Sequence, residues 1–291
     1  MKKAMLQLHT AVFLAGFTAL FGKWIALNEG VLVWHRMWIS LLMMLLVYGF
    51  WKERPKVDVA SFFRISGMGF MLAVHWLCFY GSVKYANVSV ALVCLSATGF
   101  FSALIEPIWM RRRIQFLELG LGLLAILGIA IIFNVHVHFQ AGMLYGLVAA
   151  IAGAVFPLGN RVLLKQHPPQ TLAFFEFLGG WLGLCLLMPV YLNFMPDVRW
   201  MPLGNEWIYL LLLAGICTVW AFELQLMALK KITAFTVNLT YNLEPLYGVG
   251  LAFLFFQEQA VLRPAFYVGM GFILLSIGFQ TVRVMRRTTA D

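Results

Sequence analysis

Charge is the scarcest thing in this sequence. Only 11% of its 291 residues are Asp, Glu, Lys or Arg, where a globular chain carries about 25%. Hydrophobic residues make up 62%, and the mean hydropathy is +0.87. No water-soluble fold of this length hides so much apolar surface behind so few charges. A soluble enzyme, a disordered chain and a nucleic-acid module are excluded together, in spite of the net charge of +9. Cysteine is scarce as well. Cys78, Cys94, Cys185 and Cys217 each sit inside an apolar run and none forms a CxxC pair, so they read as buried free thiols, not a disulfide or metal framework. Motifs that carry chemistry are missing too. There is no Walker sequence, no HExxH, no Ser/His pair and no Asp-rich head-group site, which leaves ATP drive and an intramembrane enzyme without residues. The pair His136 and His138 in one short loop is too little for a metal site. Neither a metal nor a cofactor is expected. Alternation with period two is absent, which excludes a membrane β-barrel.

Long apolar runs are what the chain does have. A bilayer core of about 30 Å takes about 20 apolar residues per helix. On that ruler the chain holds ten spans, at 6–27, 31–51, 63–83, 87–110, 114–134, 142–165, 170–193, 207–229, 233–256 and 264–284. Short connectors with turn or charge signals separate them, such as Lys52-Glu53-Arg54-Pro55-Lys56 and Gln166-His167-Pro168-Pro169. The first run follows Met1-Lys2-Lys3 but continues with no A-x-A cleavage site before its charged end, so it reads as a span and not a signal peptide. The expected fold is all-α, a polytopic membrane protein.

The cationic residues orient it. With the N-terminus in the cytoplasm, 14 Lys and Arg fall on the inner side and 3, Lys84, Arg199 and Arg263, on the outer. That bias puts both termini in the cytoplasm. The pattern also repeats. At an offset of 146 residues Lys84 falls on Lys230, Ser96 on Asn242, Thr98 on Glu244, Gly99 on Pro245 and Arg112 on Glu258. Earlier, Lys23 falls on Arg161 and Arg36 on Glu176 at offsets of 138 and 140. Residues 1–138 and 139–291 therefore read as two five-span repeats. Five is odd, so the second enters from the opposite side of the membrane. Such inverted repeats place a substrate site near the midplane between the halves.

These features resemble the drug/metabolite transporter superfamily, in particular its EamA-like carriers. The residues that carry the resemblance are Arg36 early in span 2, the passage ALVCLSATGFFSALIEPIWMRRR in spans 3 to 4, and MALKKITAFTVNLTYNLEPLYGVGLAFLFFQE in spans 8 to 9. The resemblance covers nearly the whole chain. One departure is that the first copy has Thr98-Gly99 where a second Glu-Pro would be symmetric. It implies alternating access without a cofactor, commonly export of amino acids or related metabolites from a bacterial cell across its inner membrane. A passive facilitator or channel is the alternative, and an intramembrane enzyme a more distant one.

Ionisable groups inside a bilayer are functional suspects by default. Arg161 and Glu176 flank the turn between spans 6 and 7 at one depth, and can pair as a salt bridge or a gate. Lys23 and Arg36 are both cationic, so they either clamp a carboxylate together or pair with acids such as Glu29 or Glu258. Glu244 lies mid-span directly before Pro245. The proline cannot donate to the carbonyl of residue 241, so the helix is locally open there. Burial disfavours a charged carboxylate, which makes Glu244 a candidate for proton coupling. Asn238, Tyr241, Asn242 and Pro245 share one face of span 9. Trp76 and Tyr80 of span 3 and Trp220 of span 8 supply aromatic faces suited to an organic cargo. The expected binding set is Trp76, Tyr80, Trp220, Asn238, Tyr241, Asn242 and Glu244, in a cavity lined by spans 1, 3, 4, 6, 8 and 9. Gly120, Gly122 and Gly128 of span 5, with Gly269, Gly271 and Gly278 of span 10, read as close helix packing or a homodimer face. The partners expected are membrane lipid and a small-molecule substrate, with no nucleic acid.

Overall fold

The structure is a computed structural model. It describes residues 2–48, 56–111, 113–135, 137–195, 197–232, 234–241 and 243–288, without the side chains of a few of these, Asn238 included. Asn242 and His136 lie outside the described residues. The described regular structure is helical throughout. Span 1 is Lys2–Gly16 with Thr18–Trp24, span 2 is Glu29–Tyr48, and span 3 is Val59–Tyr85. Span 4 is Val88–Leu95 with Thr98–Trp109, and span 5 is Phe116–Val135. Span 6 is Gln140–Leu163 and span 7 is Pro169–Phe194. Span 8 runs through Glu206–Ala214, Gly215–Trp220 and Ala221–Leu229. Span 9 is Ala234–Tyr241 with Glu244–Phe256, and span 10 is Pro264–Thr288. Among the described residues seven spans are long and apolar enough to cross a membrane. Phe116–Ile132, Glu244–Phe256 and Pro264–Phe279 are shorter apolar helices beside them.

The ends of the helices have local causes. Asp58 caps span 3 by accepting from the Ser61 N–H at 3.1 Å, and hydrogen bonds from Ser61 hold its carboxyl below the usual carboxylate range. Asn87 caps span 4 by accepting from the Val90 N–H at 2.8 Å. Pro169 opens span 7 at a position where a missing N–H costs nothing. Inside the spans, large apolar side chains such as Phe116 and Leu186 point outward, as a hydrocarbon surrounding requires.

The main packing contacts come in matched sets. Span 3 packs on spans 6 and 7, while span 8 packs on spans 1 and 2; span 4 meets span 9, and span 5 meets span 10. Exchanging each span for its counterpart five places on maps this set onto itself. Glycines let backbones close up where the contacts are tightest. A side chain at Gly69 would collide with the backbone of Glu176, and one at Gly128 with the carbonyl of Gly269. Gly128 and Gly269 thus pack spans 5 and 10 against each other within one chain, while Gly120, Gly271 and Gly278 have open space beside them.

Breaks in the spans are the main departure from the sequence reading. Only the break in span 9 was expected there, yet spans 1, 4 and 8 are interrupted too. Span 1 breaks at Phe17, and span 8 widens into a π-helix over Gly215–Trp220.

A polar lattice closes one end of the bundle. Lys23 donates to Glu258 at 2.7 Å, and the same carboxylate accepts from the Ser89 hydroxyl and from the Val88 and Ser89 N–H groups. Glu258 so caps span 4 while tying down span 1. Lys84 donates to the carbonyl of Ile25 at 2.9 Å, and Glu206 accepts from the Ala26 N–H and from Arg199. Tyr191 donates to Glu29.

Candidate functional site

A cavity of about 120 Å³ lies in the middle of the bundle, where the interrupted spans come together. Spans 1, 3, 4, 6, 8 and 9 all line it, and span 2 adds Arg36. Aromatic residues line it, Trp76, Phe79, Phe156, Phe222 and Tyr241, together with polar ones that include Arg36, His75, Thr218, Gln225 and Glu244; such groups fix orientation in a small-molecule site.

Arg36 is the best-held of these groups. Its residue is only 2% exposed. The Nε donates to the Thr218 hydroxyl at 2.7 Å and Nη1 donates to the Tyr80 hydroxyl at 2.8 Å. The guanidinium lies over the Trp76 ring, 3.6 Å from its centroid, a favourable cation–π arrangement. Thr218 in turn donates to the carbonyl of Leu213, five residues back, which is the register of the π-helix. Span 8 is thus locally rewound around the residue that holds Arg36. Such π-segments concentrate at functional sites.

Glu244 enters the cavity at the start of the second helix of span 9. Its residue is buried, and its carboxylate makes no hydrogen bond to any described residue. Arg36 is the cation whose field reaches it, without ion-pair contact between the two. Tyr241, one turn earlier, donates its hydroxyl to Gln225 at 3.0 Å. His75 makes a 2.7 Å hydrogen bond through Nδ1 with the carbonyl of Ala149 and lines the same space.

A protein-family model described as the EamA-like transporter family matches residues 2–134 and again 140–282. The chain belongs to the EamA-like transporter family. A biotin transporter of Salmonella typhimurium is 26% identical over 231 residues, 77% of this chain and 74% of that protein. An uncharacterised transporter of Archaeoglobus fulgidus is 26% identical over 147 residues, 50% of this chain. The chain thus spans about half of the archaeal relative's length, 48%. A solved crystal structure of 16% identity superposes with a TM-score of 0.69, over 98% of this chain and 99% of that one, and shares the fold. This EamA-like chain is a multi-pass membrane transporter.

The structure of this EamA-like chain brings some of the sequence-selected residues together and disperses others. Trp76, Tyr241 and Glu244 line the cavity. Tyr80 does not line it but stands behind Arg36 as a hydrogen-bond partner. Trp220 is corrected: it is 51% exposed and off the cavity. The face of span 8 that lines the cavity is Cys217, Thr218, Ala221, Phe222 and Gln225. Trp220 is two positions on from Thr218, close to half a turn of this π-helix, so the aromatic stripe chosen from the sequence is the opposite side. Asn242 and the side chain of Asn238 lie outside the described residues. Of the two readings open for Lys23 and Arg36, the structure has the pairing for Lys23, which is bound by Glu258 at the closed end, while Arg36 lines the cavity and the two form no joint clamp.

Arg161 and Glu176 do not pair. Glu176 is wholly buried and faces the side chain of Asn160 in span 6. Consecutive residues of a helix point about 100° apart, so the turn that aims Asn160 at span 7 aims Arg161 away from it. The sequence reading missed Thr218 and Gln225. The hydroxyl of Thr218 in an apolar run was a visible signal, but its function needed the position of Arg36.

Proposed function

We propose that this EamA-like chain is a secondary carrier that moves a small organic metabolite by alternating access. An amino acid or related compound, moved outward across a bacterial inner membrane, is the cargo and direction that the resemblance favours. The observation that carries the reading is the central cavity at the breaks of spans 4 and 9. Discontinuous helices at mid-membrane expose free backbone groups to cargo and ions. The matched contacts support two inverted repeats, residues 1–138 and 139–291, rocking about that cavity. The closed lattice around Lys23 and Glu258 is then the outer gate, with both termini in the cytoplasm. Glu244, unpaired in the cavity, is the group placed to carry a proton when cargo is absent.

Counterflow in proteoliposomes tests the reading. Preloaded cargo should drive uptake of labelled cargo, and an imposed pH gradient should accelerate net flux. The carboxylate biotin, cargo of the Salmonella relative by its name, belongs in the first screen. Flux without counterflow would make the protein a channel. Reporter fusions that put the C-terminus outside would overturn the orientation.

A further inference from the structure

Span 8 is wound differently from its counterpart. Span 3 is a continuous α-helix, Val59–Tyr85, and its cavity face is Leu72, His75, Trp76 and Phe79. The cavity face of span 8 has the same four places 146 residues on, Thr218, Ala221, Phe222 and Gln225. Of the two, only span 8 carries a π-segment, Gly215–Trp220, and it overlaps the start of that face. The Ala221 N–H reaches the Ile216 carbonyl five residues back. The Thr218 hydroxyl donates to the Leu213 carbonyl, also five back, at 2.7 Å. In an α-helix a threonine hydroxyl bonds four residues back. Here that acceptor would be Ala214, whose carbonyl has the Ser40 hydroxyl at 3.4 Å. Arg36 favours the wider register. Its Nε donates to the Thr218 oxygen at 2.7 Å and so directs the hydroxyl's one proton to Leu213.

The outer half of span 8, Glu206–Ala214, is built into the closed end of the bundle. Glu206 accepts from the Ala26 N–H at 2.7 Å, which ties it to the link between spans 1 and 2. Tyr209 stacks on Trp24 with ring centroids 5.6 Å apart. Trp24 meets the edge of Phe256, whose ring lies under Lys23 of the Lys23–Glu258 pair. A π-turn holds one residue more than an α-turn. Rewinding it turns one half of the helix against the other by about 100° and lengthens the helix by about 1.5 Å. Glu206 and Tyr209 cannot keep Ala26 and Trp24 through such a turn.

We propose that the π-segment of span 8 is a switch that ties Arg36 in the cavity to the outer gate. While Arg36 holds Thr218, the segment stays wide and the gate stays closed. Thr218 and Tyr80 offer Arg36 neutral hydroxyls, which are weaker acceptors than an anion. When a stronger acceptor in the cavity draws Arg36 off Thr218, the hydroxyl passes to Ala214. The segment then rewinds to an α-helix, and Glu206 leaves Ala26. The inference rests on the carrier reading above and names the residues that transmit its opening. Thr218 is a positioning residue in this scheme.

Hydrogen exchange on the full chain in lipid nanodiscs, read peptide by peptide, tests it. Thr218→Val keeps the shape of the side chain and removes the hydroxyl from both bonds. Deletion of Ile216, whose side chain is exposed on the bundle surface, removes the extra residue itself. In both variants exchange at Ala26 and in 199–206 should rise by at least about tenfold, the worth of one charge-assisted hydrogen bond. Spans 5 and 10 should keep wild-type protection. Thr218→Ser keeps the hydroxyl and should keep Ala26 protected. A purely structural Thr218 would raise exchange in 213–221 and no further, and that result would overturn the switch. A structure of Thr218→Val with the π-segment intact would overturn it too, as would loosening of every span by both variants, which makes the segment a packing element. If the deletion alone loosens every span, Thr218→Val decides. Exposure of Ala26 as expected, in a protein that shows no counterflow, would leave the switch standing and remove the carrier reading. Counterflow with Ala26 protected in both variants would do the reverse.

Discussion

Span 4 ends its first helix at Leu95 and begins its second at Thr98, and span 9 does the same at Tyr241 and Glu244, 146 residues later in each case. The bend is made by the same bond in both copies. The Ala97 N–H donates to the carbonyl of Cys94 at 3.0 Å, and the Leu243 N–H to that of Thr240 at 3.0 Å. Each span then stops on a residue with left-handed φ of 52°, Arg111 in one and Gln257 in the other. Backbone geometry is therefore common to the two copies. What differs is the chemistry on it. Gly99 still donates to the carbonyl of Ser96, at 3.4 Å, where the second copy has Pro245 and no donor. Thr98 satisfies itself on the carbonyl of Ala150, while Glu244 is left open to the cavity. The bend is made in both copies, and only the second carries a carboxyl group on it.

The largest way to break that comparison is at the charge. Glu244→Gln should lower gradient-driven flux by about tenfold to a hundredfold, the worth of a charge-assisted hydrogen bond. It should leave the melting temperature in detergent nearly unchanged, because the carboxylate bonds to no described residue. Wild-type flux in this variant would make Glu244 a packing residue. Next in size is the far end of span 9. Glu258→Ala removes the cap on span 4 and the anchor of Lys23 together. A buried, multiply bonded carboxylate of this kind is worth about 3 kcal/mol, read as a lower melting midpoint.

Smaller effects sharpen the difference. Thr98→Val keeps the shape of the quieter break and deletes one long hydrogen bond of 3.4 Å. It should cost about 1 kcal/mol or less and change flux far less than Glu244→Gln. A comparable fall in flux would mean that both breaks bind cargo. The smallest effect is expected from Gly99→Pro, which makes the first copy imitate the second. Proline inside an uninterrupted helix costs about 3 kcal/mol, but here only the weak bond to Ser96 is lost. A thermal midpoint that fell as far as for an ordinary helix proline would show that the two breaks are less alike than their backbones.

Much of the architecture was legible in the chain because lipid makes hydropathy a strict ruler. Each of the ten apolar runs is helical among the described residues, seven of them long enough to cross a membrane, and ends shift by a few residues, as where the Asp58 cap starts span 3 at Val59. The site was legible where a residue breaks a rule by itself. Glu244 before Pro245 is an acid and a helix breaker in an apolar run, and it lines the cavity. Arg36 was conspicuous for the same reason. Side-chain partnerships were not legible. Arg161 and Glu176 have matching depth and opposite charge, yet Glu176 faces Asn160 instead. Depth along a span follows from counting residues, but azimuth depends on how the helix is turned against its neighbours. Trp220 shows the same limit, since its aromatic ring faces out of the bundle while Thr218 faces in.

By itself, then, the sequence determined that this protein is a helical membrane protein and that it is built twice. Each of these depends on composition and order alone, because water and hydrocarbon sort side chains without regard to their partners. The tertiary structure decided which side chains share the cavity and which close the end of the bundle. It bent spans 1 and 4 without a proline and rewound span 8 around Thr218. It also left Arg36 and Glu244 facing one cavity without an ion-pair contact between them. Those outcomes depend on helix rotation and on contacts between residues up to 235 positions apart, as between Lys23 and Glu258, and packing alone selects among them.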